Sequence, residues 1–185
     1  MIDEVLLEAE DKMDKAVQFL QQELSGLRTG KANPALVENI TIDYYGTPTG
    51  LRDIANISTH EPRLIVINPF DPSSLGLIEK AITAANIGIT PMNDGRLIRV
   101  PIPELSEERR KEMVKMAGRN TEEQRVAVRN VRREANDRLK ALQKKGDITE
   151  DDLNDALDQV QKTTDGQIQK MDDMLASKEA EVMEV

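Results

Sequence analysis

Apolar residues recur at alternating spacings of three and four along three long segments, and this pattern constrains the fold more than any other feature. The segments run from Ile2 to Leu27, from Leu105 to Lys145 and from Thr149 to Val182. Such spacing predicts long amphipathic helices, each with one narrow apolar seam. Three helices with matching seams can bury them against one another, so the sequence predicts a long antiparallel three-helix bundle.

Residues that start and stop helices bracket these segments. Gly30 can close the first helix in a left-handed conformation. Ser106 can cap the amides at the start of the second helix, and Gly146 can end it. Thr149, with Asp152 three residues later, forms a capping-box pattern at the start of the third helix.

The chain between the first two helices has a different pattern. Its apolar residues alternate or form short runs, which indicates strands, and Gly, Pro and Asn mark turns between them. His60 is expected in a loop. The predicted elements are a strand over 40–45, turn residues at 46–50, a strand over 64–67, a short helix from Leu75 to Ala85 capped by Asp71 or Ser73, and a hairpin of 87–90 with 96–100.

The fold class is therefore α+β, with a small α/β domain inserted into the helical bundle. Residues 1–30 and 104–185 are expected to form the bundle, and residues 31–103 the insertion, a β/α/β sandwich-like unit. Two proline-containing crossings, 30–34 and 101–104, would act as hinges of restricted freedom. The predicted hinge residues are Gly30, Lys31, Ala32, Asn33, Pro34, Pro101, Ile102 and Pro103.

Charge is distributed very unevenly along the chain. The net charge is −9, yet residues 104–146 carry thirteen basic side chains against eight acidic ones. Residues 147–185 carry twelve acidic side chains against three basic ones. This polarity is compatible with an anionic partner that meets the basic helix and is repelled by the acidic one.

Composition excludes several classes of protein. The chain has no cysteine and therefore no disulfide framework or thiol nucleophile, which fits a reducing compartment. Two tyrosines, two phenylalanines and no tryptophan are too few for a typical single-strand nucleic-acid binder, which stacks bases on aromatic rings. The acidic N-terminus is unlike a signal peptide, and no apolar run has membrane-spanning length, so a cytoplasmic protein without a membrane partner is expected.

The stretch LRTGKANP, residues 27–34, is not the phosphate-binding loop that its Gly-Lys pair suggests. That loop needs a preceding strand, a longer glycine spacing and a hydroxyl residue after the lysine, where this chain has Ala32. The single histidine offers no catalytic constellation. The acidic cluster at Asp147 and 150–152 lacks calcium-loop spacing. We therefore expect neither an enzyme nor a metal or cofactor site.

The second helix carries a basic face beside its apolar seam. At about 100° per residue, six side chains fall within one arc roughly 100° wide: Arg125, Arg129, Arg132, Arg133, Asn136 and Lys140. Like charges along one face are unfavourable unless an anionic partner relieves them. The planar guanidinium group suits phosphate oxygens in folded RNA, and Arg28 could extend this face.

Six stretches together resemble the ribosome recycling factor family along the whole chain. They are MIDEVLLEAEDKM, LRTGKANPALV, IDYYGTPT, INPFD, NDGRLIRVPIPELSEERRKEMVK and RVAVRNVRREAN. Two differences from the usual family pattern are Lys31, where arginine is common, and Gly50, where proline is common.

The resemblance implies a non-enzymatic, L-shaped translation factor that approximates the outline of transfer RNA. It would act as a monomer, binding large-subunit ribosomal RNA of the post-termination ribosome through its bundle. Elongation factor G and its GTP would then drive subunit separation and release of mRNA by pushing the inserted domain. On this analogy the residues contacting RNA are, in order of preference, Arg132, Arg129, Arg28, Arg133, Arg125 and Arg110. A helical scaffold or adaptor protein and a nucleotide-hydrolysing enzyme remain the alternatives.

Overall fold

The computed structural model describes residues 1–184 and contains five α-helices and six strands in that range. None of the helices in this range combines the length and the apolar character needed to span a bilayer. The elements in chain order are α1 (Ile2–Ser25), β1 (Thr41–Tyr44), β2 (Thr47–Gly50), α2 (Leu51–Ile54), β3 (Ala55–Glu61), β4 (Leu64–Pro69), α3 (Leu75–Ala84), β5 (Met92–Asn93), β6 (Ile98–Pro101), α4 (Glu107–Lys144) and α5 (Glu150–Met183).

The described chain divides into two compact units, which confirms an α+β protein built from three long helices and a small β-containing domain. The bundle unit comprises Met1–Leu24 and Val114–Val185, and the inserted unit comprises Ser25–Met113. These boundaries fall near the end of α1 and inside the first turns of α4. The domain limits expected from the sequence, 31 and 103, remain predictions about where the chain bends.

Polar contacts in the bundle unit fix the directions of its helices. Glu8 and Lys12 of α1 contact Arg138 and Glu134 of α4 respectively, so these two helices are antiparallel. The hydroxyl of Thr164 on α5 lies 3.9 Å from the sulfur of Met13, and Gln167 donates to Asp14, so α5 runs parallel to α1. The three long helices therefore pair as the alternating apolar seams predict.

The seams are buried between the helices. The fully or nearly buried apolar residues of this unit are Val5, Ala9, Met13, Leu20, Leu24, Ala117, Val128, Ala135, Leu139, Ala156, Val160, Met171 and Val182. Two buried threonines interrupt the seams without leaving an unpaired hydroxyl. Thr121 donates to the carbonyl of Ala117, and Thr164 to that of Val160, each at 2.8 Å.

The inserted unit is built from a two-stranded hairpin, a four-stranded antiparallel sheet and helix α3. The sheet order is β3-β4-β6-β5, and β1 pairs with β2 in the separate hairpin. Its core includes Val37 and residues from hairpin, sheet and helix, among them Ile42, Ile65, Ile78 and Ile98. Asp71 accepts a hydrogen bond from the amide of Ser73 and so caps the short turn Pro72–Ser74 that leads into α3. The cap residue of α3 itself is Ser74, which makes no side-chain capping bond, so the predicted cap acts one turn before the helix.

The first helix ends earlier than predicted, at Ser25 instead of Gly30. Gly26 is a poor helix residue. The side-chain amide of Asn33 donates to the Ser25 carbonyl at 3.3 Å and satisfies the helix end. Gly30 does adopt a left-handed φ of 79°, but within the following turn. Ser106 and the Thr149–Asp152 capping box start α4 and α5 as predicted.

Three predictions in the inserted unit were wrong. Residues 47–50, predicted as part of a turn, form β2, because the turn needs only Tyr45 and Gly46. His60 lies in strand β3 instead of a loop. The strand was not predicted because the sequence of β3 is mostly polar. Pairing with the apolar β4 stabilises it. The first strand of the last hairpin is β5 at 92–93, not 87–90.

Candidate nucleic-acid interface on helix α4

The structure brings four of the six predicted RNA-contacting arginines together on α4 within the bundle unit. Arg125, Arg129, Arg132 and Arg133 lie within a span of two and a half turns. On this stretch the buried seam of α4 is formed by Val128, Ala135 and Leu139, and the arginines border it. The four arginines differ in their intramolecular hydrogen bonds and ion pairs. These contacts decide which of them is available to bind an anion outside the protein.

Arg125 is held by the protein itself. Its Nε donates to Asp172 Oδ1 on α5 at 2.8 Å, its Nη2 reaches the same oxygen at 2.5 Å, and its Nη1 donates to Glu122 at 3.0 Å. Only 20% of the side chain is exposed. Burial acts to lower the pKa of Arg125, but its bonds to Asp172 and Glu122 outweigh burial and raise it. Arg125 therefore joins α4 to α5 as a structural ion pair.

Arg129 and Arg133 have weaker local partners. Arg129 Nη1 donates to Glu122 at 3.1 Å, across two turns of the same helix. Arg133 Nη1 donates to the side-chain oxygen of Asn130 at 2.9 Å. Hydrogen bonds from Arg125 and then Arg129 lower the pKa of Glu122 below its ordinary value, so this carboxylate stays charged at neutral pH. Because these contacts are exposed, a phosphate could replace them at small cost.

A row of three side chains one turn apart has no such partner. Among residues 1–184, Arg132, Asn136 and Lys140 make no side-chain hydrogen bond or ion pair, and Asn136 Oδ1 is buried without a hydrogen-bond partner. We call these three residues the open row. A guanidinium, an amide and an ammonium at successive turns offer donors to consecutive anionic oxygens. Helical periodicity placed Asn136 and Lys140 in the same arc as the arginines. Only arginines, however, were predicted to contact RNA.

The opposite flank of α4 is occupied by α1. Arg138 donates to Glu8 at 2.5 Å, while Lys12 bridges Glu8 and Glu134 at 3.1 and 3.2 Å. The hydrogen bond from Arg138, followed by that from Lys12, lowers the pKa of Glu8. This four-residue network pairs the basic side chains on that flank, whereas the open row includes two basic side chains without a partner among the described residues.

The remaining two predicted arginines belong to the inserted unit. Arg28 Nη2 lies 3.4 Å from the carbonyl oxygen of Gly88, and a side chain at Gly88 would collide with the guanidinium because its Cβ would lie 2.6 Å from Nη1. Arg110 has a buried Nε without a hydrogen-bond partner. Arg28 thus has an intramolecular role, whereas Arg110 has an unused donor.

The predicted hinge segments are both attached to the turn between β3 and β4. The amide of Ala32 donates to the carbonyl of Pro62 at 2.7 Å, and the amide of Ile102 donates to that of Arg63 at 2.8 Å. Arg63 also forms an ion pair with Glu104. Asn33 Oδ1 caps the short turn that begins at Pro34. Ala32 and Ile102 are therefore parts of the inserted unit rather than free connectors.

The chain matches known proteins along its length. Residues 20–183 match the family model described as ribosome recycling factor. Ribosome-recycling factors from Geobacillus sp. (strain WCH70) and Bacillus subtilis (strain 168) are 52% and 50% identical over 185 residues, with full coverage of both chains in each pair. The factor from Oleidesulfovibrio alaskensis is 48% identical over 184 residues, again with full coverage.

Two solved structures give the same result. A solution structure of the ribosome recycling factor superposes with a TM-score of 0.82 at 40% identity, covering 100% of this chain and 98% of that one. A model of the Thermus thermophilus ribosome recycling factor, described with Escherichia coli elongation factor G on the post-termination complex, gives 0.72 at 40% identity with full coverage of both chains. With the family model spanning nearly all of its length, the chain belongs to the ribosome recycling factor family.

Proposed function

We propose that this protein recycles ribosomes: it binds the post-termination ribosome and, with elongation factor G and GTP, promotes separation of the subunits and release of mRNA. The observation that carries the proposal is full-length similarity to factors of this name, at about half of all positions. A relative of the same fold is described on the post-termination complex together with elongation factor G. The family consists of translation factors that are not enzymes.

The open row supports binding through large-subunit ribosomal RNA. Arg132, Asn136 and Lys140 have donors that no described residue uses, next to the exchangeable contacts of Arg129 and Arg133. Phosphates can take these donors without breaking the bundle, whereas engaging Arg125 would cost its bonds to α5. We therefore rank Arg132 first among the RNA-contacting residues, and Arg125 last.

The alternative function, a helical scaffold or adaptor, would need an exposed apolar surface on the bundle. A scaffold would recruit a partner helix through the apolar seams, but those seams are packed between the protein's own three helices. The large apolar side chains left exposed on the bundle unit include Leu7, Phe19 and Val126, which are separated in sequence and lie on two helices. Isolated exposed apolar residues are ordinary on a protein surface.

The proposal assigns separate roles to the two units. The bundle unit would bind RNA, and the inserted unit would receive the movement of elongation factor G, whose GTP hydrolysis supplies the energy. Ala32 and Ile102 are hydrogen-bonded to the β3–β4 turn. We therefore propose that the chain bends between these residues and the long helices, at 26–31 and 103–106. The protein would act as a monomer in the cytoplasm, where ribosomes are found.

The test is separation of ribosomal subunits, followed by light scattering. Wild type with elongation factor G and GTP should split post-termination ribosomes, and omission of any of the three should prevent it. Arg132→Gln should reduce binding to vacant ribosomes at least tenfold, because a charge-assisted hydrogen bond contributes about 1.5–3 kcal/mol.

The matched control is Arg119→Gln, which removes the same charge from an exposed position outside the arc. It should alter binding less than twofold. A folded wild-type protein that neither binds nor splits ribosomes would contradict the proposed function. Equal losses in both variants would instead remove the open row from it and leave only a general effect of charge.

A further inference from the structure

Two of the chain's four aromatic side chains contact one carboxylate in the inserted unit, and a third aromatic residue is its neighbour in sequence. Tyr44 and Tyr45 both donate to Asp71 Oδ2, at 3.3 and 3.1 Å, and Phe70 immediately precedes Asp71. The two tyrosine rings meet edge to face with centroids 4.6 Å apart. We call Tyr44, Tyr45, Phe70 and Asp71 the aromatic cluster. In a chain so poor in aromatics, this concentration calls for a physical reason.

Folding accounts for only one of the three rings. Tyr44 is partly buried against the core of the inserted unit. Tyr45 is 80% exposed and Phe70 is 70% exposed, so neither ring gains much from burial. Large exposed aromatic rings are unfavourable in water and are enriched where proteins meet partners.

Tyr45 also occupies a backbone conformation that its side chain disfavours. It has a φ of +50°, followed by Gly46 at +82°, in the two-residue turn that joins β1 to β2. Hairpin turns with two positive φ angles favour Asn-Gly or Asp-Gly. Residues other than Gly, Asn and Asp are strained in that conformation. The protein therefore keeps an exposed tyrosine where asparagine would fit better, which points to a use outside folding.

The carboxylate fixes the cluster and sets its charge. Asp71 Oδ1 accepts the amide and the hydroxyl of Ser73 at 3.0 and 2.8 Å, while Oδ2 accepts both tyrosine hydroxyls. Hydrogen bonding, first from the Ser73 hydroxyl, lowers the pKa of Asp71, which is therefore anionic at neutral pH. Asp43, one residue before Tyr44, is also exposed.

Exposed ring faces beside a fixed negative charge attract cations. A guanidinium or ammonium group can lie over an aromatic face while its charge is balanced by the nearby carboxylate. A phosphate backbone would be repelled by the same carboxylate and by Asp43. We propose that the aromatic cluster is a docking site for an arginine or lysine side chain on a protein partner. The identity of that partner rests on the proposed function, under which elongation factor G is the first candidate.

The first test removes rings without destabilising the unit. Tyr45→Asn creates the favoured Asn-Gly turn, so its thermal midpoint should equal or exceed that of wild type. Combined with Phe70→Ser, it should raise the elongation factor G concentration needed for half-maximal subunit separation at least fivefold, while binding to vacant ribosomes stays unchanged. The control is Phe19→Ser, which removes an exposed phenylalanine from the bundle unit and should leave that concentration unchanged.

The second test needs no ribosome. The full chain labelled with 3-fluorotyrosine has two fluorine signals, from Tyr44 and Tyr45, and the Tyr44→Phe variant assigns them. Adding elongation factor G with a non-hydrolysable GTP analogue should shift the Tyr45 signal, and salt should weaken the effect. Poly(U) at the same concentration should leave it in place.

Three outcomes would overturn the inference, each in a distinct way. A Tyr45 signal that responds to poly(U) but not to the protein would make the cluster a base-stacking site. Loss of ribosome binding in the double variant would make it part of the ribosome contact. Unchanged elongation factor G dependence together with an unmoved signal would exclude a docking role. If wild type fails to split ribosomes, the proposed function fails by itself, and the fluorine titration still decides the inference.

Discussion

Arg125 and Arg132 lie two turns apart on the same side of α4, but their surroundings differ. Arg125 donates three hydrogen bonds to Asp172 and Glu122, and four-fifths of its side chain is covered. Arg132 makes no side-chain hydrogen bond to any residue among 1–184 and begins the open row. An arginine that the fold has already paired stabilises the fold, whereas an arginine without a partner can bind an anion outside the protein.

The largest expected difference between the two arginines is in stability. Arg125→Gln should lower the free energy of unfolding by about 2 kcal/mol, because it leaves Asp172 without its charged partner. For a chain of this size that corresponds to a midpoint roughly 4–8 °C lower. Arg132→Gln should change the midpoint by less than about 2 °C. Thermal unfolding followed by circular dichroism checks both values, and equal shifts would remove the distinction between the two arginines.

Asn136 belongs to the open row, but unlike Arg132 it carries a buried atom without a partner. Its Oδ1 is buried and unpaired, so Asn136→Ala removes an unsatisfied group and introduces a better helix former. We expect the free energy of unfolding to stay the same or rise by up to about 1 kcal/mol. Affinity for vacant ribosomes should meanwhile fall several-fold. A clearly less stable Asn136→Ala protein would mean that the amide is already satisfied within the fold.

Glu122 on α4 contacts both Arg125, which is also paired with α5, and the more exposed Arg129. Glu122→Gln removes the carboxylate that holds Arg129 and shares Arg125. With Arg129 released and one negative charge fewer, ribosome affinity at low salt should rise roughly two- to fivefold, since an exposed pair contributes only about 0.2–1 kcal/mol. Glu179→Gln, which removes an acidic charge from α5 without a described Arg partner, is the control. Weaker ribosome binding by Glu122→Gln would show that Arg129 needs its carboxylate for orientation.

The smallest effect is the pH dependence of the same pairing. The pKa of Glu122 is lowered in the folded protein, so its contribution to stability is complete above the unfolded value of 4.5 and is lost as pH falls through the folded value. Between neutral pH and pH 5, stability should therefore be insensitive to this group. Below that range, wild type should lose more stability than Glu122→Gln, as measured by urea unfolding at a series of pH values. Parallel pH profiles for the two proteins would contradict the pairing.

The helices were predictable because their signals are local. Thr149 and Asp152 stand three residues apart and cap α5 as their spacing indicates, and the apolar seams follow one helical period. Strand β3 was missed because only Ile57 continues an apolar alternation among its polar residues, and its stability comes from pairing with β4. Local sequence patterns therefore predict the helices of the bundle more accurately than the strands of the sheet.

The candidate site was predictable in its position but not in its internal division. Helical periodicity placed the arginines on one arc, and the structure keeps them there. Nothing in the sequence links Arg125 with Asp172, which lies 47 residues away on another helix. That pair forms only when α4 and α5 pack in the observed register. Which arginine is structural and which is free is therefore a property of tertiary packing.

The most direct test of this division is the salt dependence of ribosome binding for wild type, Arg132→Gln and Arg125→Gln. Each phosphate contact contributes about 0.7–0.9 to the slope of log affinity against log salt concentration. We expect Arg132→Gln to reduce the slope by about 1, while Arg125→Gln keeps the wild-type slope at temperatures where it is folded. A reduced slope for Arg125→Gln with an unchanged one for Arg132→Gln would show that Arg125, and not Arg132, contacts phosphate.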